Sequence, residues 1–383
     1  MMRKISNGVK ILMLSEDHTI ARPGSPAYRR MEQYAALVDE LRIVVPAEDN
    51  TKAIEQGRLF VYPVHATNAV VRSWRMAVAA HTLLGQHTGM IMSVQAPNEI
   101  GLIALLLARL HRISLQVQVH ADIMSPWFGR GSWKARLRYR LARVILPRAT
   151  CIRVVSERIK RSLVDILRLQ KTPIFVLPIY TDIAAFLNAA PDPDTQTRFA
   201  CYTYTMIAVG RFVDQEKNFS MLIRMMKEFV TTCPAALLVI VGDGPDKARY
   251  EDLISWYGLA DNVMIEPWRD DLPAFFRSFD TLVISSLHEG WSRVAIEAMA
   301  SGLVVVMTDV GLAGEVVRNQ ENGVVVPVAD ESTLLAACLD VYRDPAKRAR
   351  LAQCARKTIQ GPMLATQEAY LARWRASFDN CRL

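Results

Sequence analysis

Residues 281–297 read TLVISSLHEGWSRVAIE: an apolar run from Thr281 to Ser286, a turn, and a helix-forming segment, with carboxylates at Glu289 and Glu297 flanking the turn. A short apolar run that ends in a glycine-bearing turn and enters a helix is the strand-to-helix unit of an open α/β sheet. Such a turn lies at the carboxyl end of its strand, where backbone N–H groups and a helix N-terminus favour the phosphates of a ligand. The two carboxylates can then accept hydrogen bonds from hydroxyls on either side of those phosphates. A nucleotide-sugar has that layout: hexose hydroxyls, a diphosphate, ribose hydroxyls.

Working outward, Ala208-Val209-Gly210-Arg211-Phe212 followed by Glu216-Lys217-Asn218 reads as a strand that ends in glycine, with two cations placed to neutralise a diphosphate. Leu237 to Val241 leads into Gly242-Asp243-Gly244-Pro245, a buried parallel strand closed by a turn that needs glycine. Thr308-Asp309-Val310-Gly311-Leu312-Ala313-Gly314-Glu315 follows. In this order the motifs resemble glycosyltransferase family 4, most clearly from Ile207 to Val328. The resemblance implies an α/β chain of two Rossmann-like doubly wound domains facing across a cleft, the GT-B fold, and a retaining transfer. It implies that Arg211 and Lys217 stabilise the departing diphosphate, that Glu297 accepts from the ribose hydroxyls, and that Glu289 accepts from the transferred sugar. Gly210, Gly242, Gly290, Trp291, Ser292 and Val294 would surround the donor. Ser292 stands where the family commonly has glycine, and Trp291 is bulkier than the usual phenylalanine; both departures are expected to tune donor choice. No residue is assigned as a nucleophile.

The first half carries the family pattern more thinly. Val9 to Leu14 reads as the first strand, and Gly24 in Arg22-Pro23-Gly24-Ser25-Pro26 occupies the place of a glycine-rich turn near donor phosphates and acceptor. Tyr28 to Leu41 reads as a helix and Arg42 to Val45 as a strand. Leu115 to Val119 is another strand, ending at His120, which resembles the first-domain histidine that faces the donor sugar. Cys151 to Glu157 and Ile174 to Pro178 look like the closing strands.

A chain of 383 residues, 51% hydrophobic and 22% charged, suits two domains with ample core. The polar, proline-broken Pro-Asp-Pro-Asp-Thr-Gln-Thr-Arg at 191–198 places a linker at 191–200, between domains 1–190 and 201–361. In the remainder, 362–383, Gln367 to Phe378 reads as an amphipathic helix that the resemblance carries back onto the first domain. The six cysteines show no metal spacing, and Met1 to Ile5 lacks the apolar core of a signal peptide, so a reducing cytosol is expected. Ile100 to Leu110, interrupted by Arg109, His111 and Arg112, is well short of the ~20 residues of a membrane span. Asp192-Pro193-Asp194 falls in the linker, so no metal is expected, and no cofactor other than the donor substrate. Phosphate-loop, zinc-helix and nucleophile-elbow motifs are absent.

Charge is unevenly divided. Residues 1–180 hold 26 Lys and Arg against 12 Asp and Glu, a net of +14, whereas the rest of the chain nets −6. Much of the excess lies in residues 127–148, where Arg136, Arg140 and Arg143 flank a face of Leu137, Leu141, Val144 and Ile145. Such a helix can lie on an anionic membrane surface, or be an ordinary surface helix whose apolar stripe packs on its own domain. No nucleic-acid-binding signature accompanies it. The expected function is a cytoplasmic, peripheral glycosyltransferase that uses a nucleotide-sugar donor and a glycan or lipid-linked acceptor. The alternatives are a sugar-nucleotide epimerase or phosphorylase on the same fold, and a non-catalytic scaffold.

Overall fold

The computed structural model describes residues 8–47, 51–130, 132–361 and 365–381, and the Met1 to Ile5 segment lies outside them. The chain divides into two compact units, one formed by residues up to Pro178 together with those from Thr366 onward, the other by Ile179 to Ala365.

In the first unit the strands are Lys10–Leu14 (β1), Glu40–Ala47 (β2), Ile54–Gln56 (β3), Leu59–His65 (β4), Met90–Val94 (β5), Leu115–Val119 (β6), Cys151–Val154 (β7) and Ile174–Val176 (β8). They form one sheet in the order β3-β4-β2-β1-β5-β6-β7-β8, parallel except for the β3–β4 hairpin. The second unit contains Tyr204–Val209 (β9), Ala236–Val241 (β10), Val263–Glu266 (β11), Thr281–Ile284 (β12), Val304–Thr308 (β13) and Val324–Val326 (β14), all parallel in the order β11-β10-β9-β12-β13-β14. Parallel strands joined by crossover helices are covered on both faces, which is why β5, β9 and β10 are buried along their whole length. Each order reverses once, between β1 and β5 and between β9 and β12. At such a switch point the chain leaves two neighbouring strands in opposite directions and opens a crevice beyond their carboxyl ends.

Three expectations change. The helix starting at Pro26 ends at Ala35, because Leu41 is already a sheet residue, paired with Ile11 of β1 and Leu59 of β4. The stretch read as a linker is a helix, Pro193–Phe199, inside the second unit: Asp192 caps it by accepting from the Thr195 N–H at 3.1 Å, and Phe199 packs on Phe275 and Phe279. The division between units falls earlier, after Pro178. The helix Gln367–Ala376 belongs to the first unit and turns one face to its core: Trp374 is buried, and Tyr370 and Leu371 are half-buried against the same cluster.

Cys151 and Cys381, 230 residues apart in sequence with Cα atoms 5.3 Å apart, are disulfide-bonded, a pairing that the expectation of a reducing compartment did not include. Among the described residues no helix is long and apolar enough to cross a membrane.

Candidate functional site

Most of the candidate residues of the second unit follow the two strands at its switch point. Beyond β9 the chain passes Gly210 and Arg211 and makes one helical turn, Asp214–Lys217. It then bends at Asn218, which takes the left-handed conformation at φ +52°. The turn beyond β12 runs alongside. The Leu287 N–H donates to the Glu216 carbonyl at 2.8 Å, and Ser285 Oγ donates to the Lys217 carbonyl at 2.7 Å. This lacing brings Lys217 to Glu289. Lys217 Nζ donates to Glu289 Oε1 at 2.6 Å, and Ser286 Oγ donates to the same oxygen at 2.7 Å. A Cβ at position 210 would lie 3.0 Å from Lys217 Cε, so the glycine there makes room for the lysine.

Gly242, after β10, has a packing role. At φ +155° a Cβ on it would overlap the Gly210 carbonyl oxygen, and this close approach holds the β10 turn against the start of the Arg211 loop. Beneath that loop Phe212, Phe219 and Tyr250 form an edge-to-face cluster with centroids 5.4–6.0 Å apart. Arg211 itself is largely exposed, and its Nη2 donates to Glu216 Oε2 at 2.8 Å. The two cations that the sequence places together are therefore held by different carboxylates.

The turn Gly290-Trp291-Ser292 is buried and leads into the helix Arg293–Ser301. That helix starts without a side-chain cap, and the buried Ser292 Oγ and Trp291 Nε1 have no hydrogen-bond partner among the described residues. Unsatisfied N–H groups at a helix start, with a buried hydroxyl beside them, are suited to an anion. Val294 is half-buried in the first turn.

Glu297 lies on the next turn, buried, with Arg293 Nη2 donating to its Oε1 at 3.3 Å. Burial raises the Glu297 pKa above the ordinary carboxylate value and Arg293 opposes the shift. On the expectation that Glu297 accepts from ribose hydroxyls, which needs the carboxylate, nucleotide affinity should fall as pH drops through this raised pKa. Arg293→Gln removes the opposing charge and should move that acid limb to higher pH, with about a twofold loss of affinity on the limb and recovery at pH 8. Calorimetric titration from pH 5 to 8 checks this, and superimposable wild-type and variant profiles would remove Arg293 from the site.

In the first unit His120 follows β6, its Nε2 3.1 Å from Gln118 Oε1, an oxygen that Arg153 also engages. Crowding around the ring, and after it the charges of Arg153 and Arg30, lower the His120 pKa, so the imidazole is neutral at pH 7 even though the residue remains open to solvent. Gly24 is exposed in the turn beyond β1 with φ +83° and open space around it. Ser285, Ser286, Glu216 and Arg293 went unassigned in the sequence reading. The serine pair was visible at the end of an apolar strand, but the Lys217 carbonyl that Ser285 meets, and the Lys217 ammonium that shares Glu289 Oε1 with Ser286, come from the β9 turn.

The basic helix, Trp133–Ile145, differs from its sequence reading. Ala142 and Ile145 face the core, whereas Trp133, Leu137 and Val144 are exposed on the other side, so the expected single apolar face is split. Among the described residues no group of three His, Cys, Asp or Glu side chains converges as a metal site.

Residues 197–358 match the family model described as glycosyl transferases group 1, and residues 26–179 match the glycosyl transferase 4-like domain. The chain is similar, at 31% identity over 183 residues, to a lipopolysaccharide core biosynthesis glycosyltransferase of Rhizobium meliloti (strain 1021). That match covers 46% of this chain and 51% of the relative, so the chain spans about half the length of that relative. Sucrose-phosphate synthase from Thermosynechococcus elongatus superposes with a TM-score of 0.77 at 20% identity, over 97% of this chain and 98% of that one. HepE of Anabaena, in complex with UDP, gives 0.70 at 18% identity over the same shares. With two family models spanning most of its length and these fold relatives, the chain belongs to glycosyltransferase family 4 and has the GT-B fold.

Proposed function

We propose that this protein transfers a sugar, with retention of configuration and without a metal ion, from a nucleotide-diphosphate donor to an acceptor hydroxyl. The observation that carries the reading is the uncapped helix start after β12, with its orphan Ser292 hydroxyl, flanked by the Lys217–Glu289 pair and by Glu297. An anion is favoured at the helix start, and a carboxylate is available for hydroxyls on each side of it. Lys217 and Arg211 stabilise charge as it develops on the departing diphosphate. His120 is the residue of the first unit that the family resemblance assigns to the transferred sugar. UDP in the HepE structure supports a nucleotide diphosphate as the donor's leaving group, and the Rhizobium relative supports a glycan acceptor in surface polysaccharide assembly. The exposed basic helix supports a lipid-linked acceptor and a peripheral place on the cytoplasmic membrane face.

Thermal shift against UDP-, GDP-, ADP- and TDP-sugars, without added metal, tests the donor site. One base series should raise the melting temperature, since a ligand that binds only the folded state stabilises it by mass action. Glu297→Ala should abolish that shift, because losing hydrogen bonds to a charged group weakens binding at least about tenfold. A wild type that responds to none of the donors favours the scaffold reading, and hydrolysis or interconversion of donor without acceptor favours the phosphorylase or epimerase.

A further inference from the structure

Strand β6 is buried along its length, yet one of its faces is polar. Gln116 and Gln118 alternate with Leu115, Val117 and Val119, and His120 continues the polar row just beyond the strand end. Strands of a parallel sheet covered by helices are ordinarily apolar on both faces, so two glutamines at most 1% exposed call for partners. The sheet register supplies them, setting Ser93 of β5 beside Gln116 and Arg153 of β7 beside Gln118.

The hydrogen bonds among these residues run one way. His120 Nε2 lies 3.1 Å from Gln118 Oε1. Gln118 Nε2 donates to Ser93 Oγ at 2.9 Å, and Ser93 Oγ donates to Gln116 Oε1 at 3.3 Å. Gln116 Nε2 then donates to the Ser377 carbonyl at 3.1 Å and to Ser377 Oγ at 3.2 Å, and that hydroxyl ends the chain on the Trp374 carbonyl at 2.7 Å. Each link accepts one hydrogen and passes on its own, an arrangement in which the bonds polarise one another. The row therefore ties the histidine to the C-terminal segment that Cys381 fastens to Cys151.

Its direction is set by Arg153, whose Nη2 also donates to Gln118 Oε1. A guanidinium has donors only, so the amide atom facing it is the oxygen. An oxygen cannot donate, so the hydrogen between it and His120 belongs to Nε2. Because crowding, and after it the charges of Arg153 and Arg30, lower the His120 pKa, Nδ1 carries no proton at pH 7. Nδ1 has no partner among the described residues.

We propose that Gln118 is a positioning residue for the transfer: it locks His120 as the Nε2–H tautomer, leaving Nδ1 as a bare acceptor that takes a hydroxyl of the sugar and turns away the anionic oxygens of the diphosphate. The inference rests on the transfer reading above and adds to it the residue that sets the polarity of His120.

Nitrogen-15 NMR of histidine-labelled protein, assigned with His120→Asn, reads both ring nitrogens. At pH 7 the native chain should carry hydrogen on Nε2 alone. Whichever of UDP-, GDP-, ADP- and TDP-glucose binds should move the Nδ1 resonance, and the matching sugar-free nucleoside diphosphate should leave it in place. In Gln118→Glu the new carboxylate stabilises the imidazolium, so the His120 titration should rise by about 1–3 pH units. The preference for the sugar nucleotide over its bare diphosphate should be lost in that same pH range and return at pH 8. A purely structural glutamine gives a different result, a lower melting temperature with His120 titrating as in the native chain, and this would overturn the proposal. So would hydrogen on Nδ1, or an imidazolium, in the native spectrum at pH 7, a measurement that needs no variant to fold. A donor that thermal shift shows bound but that leaves Nδ1 unmoved overturns the role given to that nitrogen. If none of the four binds, the transfer reading falls, while the ring spectrum still decides the tautomer lock.

Discussion

A Glu289→Ala protein is expected to transfer sugar about 10²–10³-fold more slowly than the native chain, the loss typical when one preorganised polar group is removed from a charge-stabilising site. The expectation follows from where two hydrogen bonds converge. Glu289 Oε1 accepts from Lys217 Nζ at 2.6 Å and from Ser286 Oγ at 2.7 Å, and its side chain is only 8% exposed. On the proposed roles, deleting the carboxylate removes an acceptor for sugar hydroxyls and also releases Lys217 from a fixed direction toward the departing diphosphate. Lys217→Ala should cost a similar factor, and the double variant little more than either single one, because residues that act as a unit are not additive. Folding should survive: leaving a partly buried ammonium unpaired costs roughly 1–3 kcal/mol, a modest drop in melting temperature. Steady-state rates for the three variants decide it. A Glu289→Ala enzyme retaining more than a tenth of native activity would detach the pair from catalysis, and strictly additive losses would show that the two residues act separately.

The reach of the sequence can be read from individual residues. The second unit was legible because its strand-to-helix turns are local: each apolar run, its closing glycine and the following helix lie within about twenty residues. The packing role of Gly242 was not, since it depends on the carbonyl of Gly210, thirty-two positions away, on a strand whose neighbour is set by sheet order. Ser286 was hidden for the same reason: only the adjacency of β9 and β12 shows that its hydroxyl and Lys217 share one oxygen. At 192–199 the residues that suggested a linker were equally a helix start, Asp at the cap and Pro in the first turn, and burial of Phe199 decided between them. In the basic helix, apolar positions 133, 137, 141, 142, 144 and 145 spread over about half the circumference. Periodicity identified a helix but left open which side meets the sheet, and the structure turns Ala142 and Ile145 inward.

Trp374→Ala should produce the largest loss of stability, about 3–5 kcal/mol for truncating a fully buried tryptophan. In a unit of this size that lowers the melting temperature by about 10 °C or more. Tyr370 and Leu371 on the same face of the Gln367–Ala376 helix are only half-buried, so the tryptophan carries most of its burial. Trp374 is its one buried residue, stacked on Tyr34 with centroids 4.0 Å apart and planes 6° apart, and meeting Phe378 edge-on at 5.1 Å. Around it the Tyr34 and Tyr370 hydroxyls are 2.7 Å apart, and Arg373 donates to the Val176 carbonyl at 2.9 Å; these bonds orient the helix while the tryptophan holds it. Trp374→Phe separates packing from polarity. It keeps a ring against Tyr34 and removes an indole N–H that is buried without a partner among the described residues, a group whose burial itself costs about 1–3 kcal/mol. Phenylalanine should therefore melt within a few degrees of the native chain. Because the Cys151–Cys381 bond tethers the segment, the alanine variant should show its helix loosened by hydrogen exchange at 367–376, most of all in reductant. An alanine variant that melts with the native protein and keeps those amides protected would mean that the polar contacts and the disulfide hold the helix without the tryptophan.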